Sequence, residues 1–177
     1  MSQRNSEYAR KDRDGYQTPP WVVDVLVPHL RPYNVDRIWE PAAGDGRMVE
    51  AFRRHGFGVT ASDIADGRDF LDHDRPRLYD SIVTNPPYDL ALEFIERALC
   101  LTERRKGLVA MLLRVDFDSA GGRRHLFADC PAFALKLVLT RRIVWFEPKT
   151  ASPSENHAWF VWSWRHSGPP RIAYDGR

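Results

Sequence analysis

The sequence predicts an α/β fold in which a mostly parallel sheet carries helices on both faces. Short apolar runs rich in β-branched residues alternate along the chain with segments whose apolar residues recur at helical spacing. That alternation is typical of βαβ units. Tight turns built from glycine or proline directly follow two of the runs. The composition agrees, because 43% apolar and 28% charged residues in a chain of 177 are typical of an ordinary globular domain.

The chain divides into one domain and two short ends. Residues 1–15 are polar and charged without periodicity, so we expect a flexible N-terminal arm there. Residues 16–165 contain all the predicted strands and helices and are expected to form a single domain. Residues 166–177 contain Gly168-Pro169-Pro170, which favours an irregular C-terminal tail.

The first helix is predicted directly after Thr18. Thr18 is a preferred N-cap residue, and Pro19 and Pro20 fit the first helical turn, where a missing N–H costs little. Apolar residues at 22, 25, 26 and 30 then share one helical face. The remaining patterns predict strands at 37–41, 58–64, 79–83, 107–113, 134–146 and 158–164, and helices at 47–55, 90–99 and 121–127.

Cysteine, histidine and tryptophan usage favours structural roles. Cys100 and Cys130 lack metal-ligand or redox spacing, and the six histidines are scattered, so we expect no metal. Four tryptophans late in the chain could stack on nucleic acid, but their occurrence in predicted strands favours burial in the core; they are Trp145, Trp159, Trp162 and Trp164. No apolar run has the length of a membrane span and no secretory signal is present, which favours a cytoplasmic protein.

Charge is distributed unevenly between the two halves of the chain. Residues 1–100 carry 13 basic and 17 acidic side chains, whereas residues 101–177 carry 13 basic and 7 acidic ones. A basic half beside an acidic half indicates that one face meets an anion. The alternative is that the basic clusters are solvated ends of secondary-structure elements.

Asn85-Pro86-Pro87-Tyr88 follows the predicted strand at 79–83 after one residue, Thr84. Two prolines stop the strand and stiffen the backbone, because neither can donate to a ladder and each makes the preceding residue extended. An amide, a carbonyl and an aromatic ring are thereby displayed at a strand's carboxyl end, where open α/β sheets bind ligands. An ordinary turn after a strand is the simpler alternative.

A glycine turn follows the strand at 37–41. Gly44-Asp45-Gly46 permits close approach of the backbone to a ligand, and it lacks the third glycine of a dinucleotide fingerprint. Asp63 ends the next strand 17 residues beyond Gly46, a position suited to accepting hydrogen bonds from ribose hydroxyls. Asp63 could instead simply cap a turn.

These motifs together resemble the S-adenosylmethionine-dependent amino-methyltransferases, above all those that act on N6 of adenine in DNA. Asn85, Pro86, Pro87 and Tyr88 resemble the family's catalytic motif. The string from Glu40 to Gly46 resembles its first cofactor motif, and Tyr16-x-Thr18-Pro resembles its N-terminal one. The resemblance covers residues 16–90 motif by motif and residues 91–165 in architecture. The cofactor-binding residues that it implies are Tyr16, Thr18, Glu40, Pro41, Ala42, Gly44, Gly46, Asp63, Asp69, Phe70 and Asn85.

The resemblance implies a Rossmann-like class I methyltransferase fold. Its sheet is mostly parallel and seven-stranded, with helices on both faces and an antiparallel last strand, and residues 16–165 would be the catalytic domain. The implied reaction moves a methyl group from S-adenosylmethionine to the N6 amine of adenine in DNA. The Asn85 motif fits an RNA adenine or a protein glutamine amide as well. A methyltransferase-like subunit that binds without catalysis is the further alternative.

One departure from the family concerns target recognition. Family members usually have a target-recognition region after the catalytic core, whereas here the sequence ends soon after the predicted last strand. Loops at the carboxyl edge would then have to contact phosphate, although solvated loops are an equal alternative. We therefore expect low sequence specificity, a short site, a specificity partner or a homo-oligomer, as in the compact enzymes of phages and prophages. The candidate substrate-binding residues are Arg114, Arg123, Arg124 and Lys149.

Overall fold

The computed structural model describes residues 17–72, 80–145 and 155–175, and in these ranges seven strands form one sheet. The strands are β1 (Arg37–Glu40), β2 (Gly58–Ala61), β3 (Ser81–Thr84), β4 (Leu108–Arg114), β5 (Phe133–Leu139), β6 (His157–Ser163) and β7 (Arg171–Asp175). The α-helices of the described ranges are α1 (Pro20–Leu30), α2 (Arg47–Arg54) and α3 (Ala91–Glu103). Short 3-10 helices cover Arg31–Tyr33, Ile64–Asp66, Tyr88–Leu90, Phe117–Ser119 and Gly121–Leu126.

The strand order is β2-β1-β3-β4-β6-β5-β7. The first four strands are parallel to one another, and β6 runs antiparallel to both β4 and β5. The predicted mostly parallel seven-stranded sheet is therefore confirmed. The strand predicted at 158–164, expected to be the last and antiparallel, is β6; it is antiparallel, and β7 follows it in the chain. The order reverses between β1 and β3, which creates the crevice in which open α/β sheets bind ligands.

The prediction of an irregular tail over residues 166–177 is wrong for Arg171–Asp175, which form β7 and pair with β5 in parallel. Gly168 has a φ of 94°, and with the two prolines after it the chain turns away from β6 and reaches the far side of β5. Ile172 and Tyr174 then supply the β-branched and aromatic side chains that favour a strand. The predicted arm at residues 1–15 lies outside the described residues.

Two other predicted elements differ from the structure. The strand predicted at 134–146 ends at Leu139. The helix predicted at 121–127 is a 3-10 helix, Gly121–Leu126; two glycines at its start weaken α-helical propensity. Thr18 was predicted to cap α1, but the N-cap is Pro19. The Thr18 hydroxyl instead accepts a hydrogen bond from the Asn85 side chain.

Helices cover the two faces of the sheet and divide the core into two layers. One layer packs α1 and α2 on one face, and the other packs α3 and an aromatic cluster on the opposite face. Trp159 and Trp162 in β6 point to opposite faces and are fully buried, each donating its indole N–H to a backbone carbonyl. These two tryptophans confirm the prediction of core burial, whereas Trp145 and Trp164 are half-buried.

None of the helices in the described ranges combines the length and apolar character that crossing a bilayer requires. The described residues also contain no cluster of three or more His, Cys, Asp and Glu side chains placed to hold a metal ion.

Candidate active site

The candidate site lies at the switch point of the sheet, where β1 and β3 end side by side. Glu40 is the last residue of β1, and the glycine turn follows it. Thr84 is the last residue of β3, and Asn85 follows it. Because neighbouring parallel strands end at the same edge, two motifs separated by about 40 residues in sequence become neighbours in space.

Glu40 is a buried carboxyl at the base of the crevice. Its side chain is 0% exposed, and Oε1 accepts hydrogen bonds from the Thr84 hydroxyl and from the Ala42 N–H at 3.0 Å. Burial raises the pKa of Glu40 to about 8, the nearby Asp63 charge adds to the rise, and the two donors partly offset it. Within the described ranges Oε2 is buried without a hydrogen-bond partner.

The glycine turn is held from two sides. The Gly44 N–H donates to Asp63 Oδ2 at 2.9 Å, and the Asp45 N–H donates to Gln17 Oε1 at 3.4 Å. Gly44 has a φ of 52°, and a Cβ there would lie 3.3 Å from Gln17 Oε1. The positive φ therefore favours glycine at this position, and a Cβ there would also crowd the Gln17 side chain.

Asp63 links the glycine turn to the turn after β2. In addition to accepting from Gly44, its carboxylate accepts from the Ala65 N–H through Oδ1 at 2.9 Å and caps the 3-10 helix Ile64–Asp66. The structure thus shows the turn-capping role that the sequence left open. The same carboxylate lies beside the glycine turn, the placement expected for a ribose acceptor.

Asn85 is joined directly to the segment before α1. Its Nδ2 donates to Thr18 Oγ1 at 3.2 Å, across 67 residues of sequence. Thr18 is 5% exposed, Asn85 is half-buried, Pro86 is buried and Pro87 is exposed. With its nitrogen donating to Thr18, the Asn85 amide presents its oxygen as the acceptor.

Tyr88 contacts a residue that the sequence analysis missed. Its hydroxyl lies 2.7 Å from Nε2 of His157, and the two rings stack with centroids 6.0 Å apart. The Trp145 ring meets the same imidazole edge-on at 5.2 Å. Burial, with a smaller contribution from the Arg114 charge, lowers the pKa of His157 to about 4, so the imidazole is neutral near pH 7.

Topology is the signal that would have found His157. It is the first residue of β6, and an antiparallel strand begins at the edge where its parallel neighbours end. Gln17 was missed as well, although it occupies the variable position of Tyr16-x-Thr18-Pro.

The remaining predicted cofactor residues take several environments. Pro41 is buried, and Ala42 and Gly46 are half-buried in the turn. Asp69 is exposed and accepts from the Leu71 N–H at 2.8 Å. Phe70 is 2% exposed, with its ring 5.1 Å from Trp39 and 4.7 Å from Phe94 between centroids; in this conformation the ring belongs to the core. Tyr16 lies outside the described residues.

The predicted phosphate-binding cations are not equivalent. Arg114 ends β4 opposite His157 in the ladder, and its guanidinium pairs with Asp116 at 3.4 Å and Glu155 at 3.2 Å. Two further cations make local contacts: Arg123 covers the Phe117 ring at 3.8 Å and Arg124 pairs with Asp129 at 2.9 Å. Lys149 lies outside the described residues. Among the predicted phosphate-binding residues that the structure describes, Arg114 is thus the one that lies beside the Tyr88–His157 pair.

Comparison with known proteins identifies the architecture. No protein-family model matches the chain, and no curated protein matches it in sequence. Solved structures do match in three dimensions. One is the methyltransferase subunit of a type I restriction-modification system from Streptococcus thermophilus, with a TM-score of 0.62 and 15% identity over 85% of this chain. A protein named as a class I S-adenosylmethionine-dependent methyltransferase from Listeria monocytogenes matches with a TM-score of 0.63 and 13% identity over 90% of this chain.

The chain has the fold of the class I S-adenosylmethionine-dependent methyltransferases. A protein named as the modification subunit of a type I restriction enzyme from Vibrio vulnificus matches too, with a TM-score of 0.61 and 17% identity over 93% of this chain. The chain covers 45% and 47% of the two restriction-system subunits and 65% of the Listeria protein. It therefore spans about half to two thirds of the length of these structural neighbours.

Proposed function

We propose that the protein is an S-adenosylmethionine-dependent methyltransferase that modifies the exocyclic N6 amine of adenine in DNA. The observation that carries the proposal is the position of Asn85-Pro86-Pro87-Tyr88. This motif leaves β3 at the switch point, is tied to Thr18, and lies at the same sheet edge as the buried Glu40.

The residues around Glu40 fit the amino-acid part of the cofactor. Its Oε2 is buried and has no partner among the described residues, an arrangement that costs free energy unless a donor fills it. An ammonium group would satisfy Oε2 and stabilise the carboxylate, while the glycine turn admits a ligand close to the backbone. Asp63 would accept from the ribose hydroxyls, and Asp69 from the exocyclic amine of the cofactor's adenine. When bound, the cofactor supplies an electrophilic methyl group.

The chemistry assigned to Asn85 and Pro86 is orientation of a weak nucleophile. An exocyclic amine is unreactive because its lone pair is delocalised into the ring. The Asn85 side-chain oxygen and the Pro86 carbonyl would each accept one N–H, which favours tetrahedral nitrogen and directs the lone pair at the methyl group. The site then acts through positioning and electrostatics rather than through a strong base.

Tyr88 is assigned to stacking on the target base. Stacking on an aromatic ring contributes about 1–3 kcal/mol and is tolerant of sequence. A base in a duplex must first leave the helix at a cost of a few kcal/mol, so stacking would offset much of that cost. His157 holds the Tyr88 hydroxyl, and Arg114, which lies beside His157, is the cation that we assign to backbone phosphate.

The same chemistry on an RNA adenine or a protein glutamine is the second candidate. It is supported by the Asn85 motif itself, because an amide nitrogen presents the same two N–H donors. The Glu40–Gly46 string and Tyr16-x-Thr18-Pro favour DNA adenine. We further propose that the protein works in the cytoplasm and that a partner subunit contributes to target choice.

The proposal is tested by transfer of labelled methyl from S-adenosylmethionine to unmethylated duplex DNA, with bulk RNA in parallel. We expect label in N6-methyladenine of the DNA, identified by nucleoside mass. Asn85→Ala should reduce the rate by about a hundredfold or more, as removal of a positioned polar group at a reaction centre does.

Asn34→Gly is the matched control for Asn85→Ala. Asn34 precedes β1 at the opposite edge of the sheet and has a φ of 53°, which glycine accepts. Full activity is expected from this variant. Label found only in RNA or protein would contradict the DNA assignment, and absence of cofactor binding would contradict the enzyme assignment.

A further inference from the structure

Among the described residues, no strand pairs with the outer side of β7. It is the last strand in the sheet order and pairs with β5 on its inner side. Its Ile172 and Tyr174 side chains are 64% and 69% exposed, and they are two of the four exposed large apolar residues in the described ranges. Native proteins usually protect an edge of this kind, because unpaired N–H and C=O groups with exposed apolar side chains recruit another strand.

The direction of the backbone groups along β7 follows from one hydrogen bond. The Asp175 carbonyl accepts from the Thr140 N–H at 2.8 Å, so the polar groups of Asp175 face β5. Backbone groups alternate along a strand. Those of Arg171 and Ala173 therefore also face β5, whereas the N–H and C=O groups of Ile172 and Tyr174 point to the open edge.

The sequence of β7, Arg-Ile-Ala-Tyr-Asp, is complementary to itself when read in the opposite direction. We propose that β7 pairs with β7 of a second copy in antiparallel orientation, about a twofold axis at Ala173. Arg171 then lies opposite Asp175 of the second copy, and Ile172 opposite Tyr174. Opposite charges and an aliphatic–aromatic pair are both favourable across strands.

The hydrogen-bond register independently agrees with this pairing. In an antiparallel ladder, residues whose polar groups face each other form the hydrogen-bonded pairs, and these alternate with non-hydrogen-bonded pairs. Ile172 and Tyr174 both direct their groups outward, so the two copies would exchange four main-chain hydrogen bonds. A shift by one residue would mismatch these groups, and a shift by two would leave fewer residues paired.

The resulting dimer would be weak and would keep its two crevices apart. A five-residue strand buries far less surface than a stable interface needs, so we expect a dissociation constant on the order of 10 μM. Antiparallel pairing points the carboxyl edges of the two sheets in opposite directions. Each candidate site would therefore remain open to its substrate, and dimerisation does not depend on the proposed function.

Cysteine cross-linking tests the twofold position directly. In a background with Cys100→Ser and Cys130→Ser, Ala173→Cys would place two sulfur-bearing residues in a non-hydrogen-bonded pair, with Cα atoms about 4.5 Å apart. That separation allows a disulfide. Ile172→Cys is the matched control, because it is more exposed but its two copies would be about 7–8 Å apart or farther. We expect rapid disulfide-linked dimer from Ala173→Cys and little from Ile172→Cys.

Sedimentation velocity on the native chain between about 5 and 200 μM should show a monomer–dimer equilibrium. Arg171→Asp should abolish it, and adding Asp175→Arg should restore it, because the swapped charges pair again in this register only. Ile172→Pro should also abolish it while leaving the β5–β7 ladder intact, since the N–H it removes points outward. A monomer at all concentrations, or equal cross-linking of the two cysteine variants, would overturn the proposal.

Discussion

The Glu40→Gln variant should gain stability relative to the unsubstituted protein as the pH rises. The carboxyl has a pKa of about 8 in the folded protein against 4.5 in an unfolded chain. Between these pH values the unfolded chain has lost the proton and the folded chain keeps it. Stability is therefore lost as the pH rises from about 4.5 to 8, by at most about 5 kcal/mol for a shift of this size.

Glutamine imitates the protonated acid and does not titrate. Its oxygen can still accept from Ala42 and Thr84, as Oε1 of the acid does. The variant's advantage in free energy of unfolding should therefore grow by about 4 kcal/mol between pH 5 and pH 8.5. Groups that do not interact with Glu40 contribute equally in both proteins and cancel in the difference.

Urea denaturation followed by tryptophan fluorescence measures this difference, because Trp159 and Trp162 lose their buried environment on unfolding. Glu50→Gln is the control for the chemical substitution itself, because Glu50 is an exposed carboxyl in α2 that pairs with Arg53, and a surface pair of this kind contributes at most about 1 kcal/mol. If the Glu40→Gln difference did not change with pH, the reasoning from burial to pKa would be refuted.

Two further predictions concern how the site is held. His157→Phe keeps an aromatic ring but removes the partner of the Tyr88 hydroxyl; we expect kcat to fall roughly tenfold with unchanged affinity for S-adenosylmethionine, and His157→Gln to recover part of the loss. Equal losses in both variants would mean that the ring only fills space. Thr18→Val removes the acceptor for Asn85 Nδ2 and should lower kcat/KM by about tenfold; the lost hydrogen bond should also lower the free energy of unfolding by about 1 kcal/mol. Thr18→Ser keeps the hydroxyl and should retain activity. Steady-state methyl transfer measures kcat/KM for both variants.

Local sequence patterns were sufficient to predict the central sheet and both motif-bearing turns. A strand followed by Gly-x-Gly or by two prolines is encoded by adjacent residues, and neighbouring parallel strands then bring Glu40 and Asn85 to one edge. The family resemblance assigned both Thr18 and Asn85 to cofactor binding, but it did not predict that Asn85 donates a hydrogen bond to Thr18.

Contacts between distant segments could not be predicted in the same way. His157 approaches Tyr88 only because β6 runs antiparallel and starts at the site edge, which requires knowing the sheet order. Strand β7 was missed because glycine and prolines before it are typical of a tail, and its identity as a strand comes from pairing with β5. Phe70 satisfies the motif, yet neighbours from β1 and α3 decide that its ring is buried.

The two hydrogen bonds that fasten the segment around α1 have a consequence for the order of folding. One joins Thr18 to Asn85 across 67 residues, and the other joins the Val22 carbonyl to Trp159 across 137. Closing such loops is entropically costly and slow, so contacts of this sequence separation form late. During synthesis, α1 can therefore complete its packing only after β6 has been translated. The crevice of the candidate site is therefore expected to close in the final stage of folding, and trapped intermediates should contain a formed β1–β4 sheet with an undocked first helix.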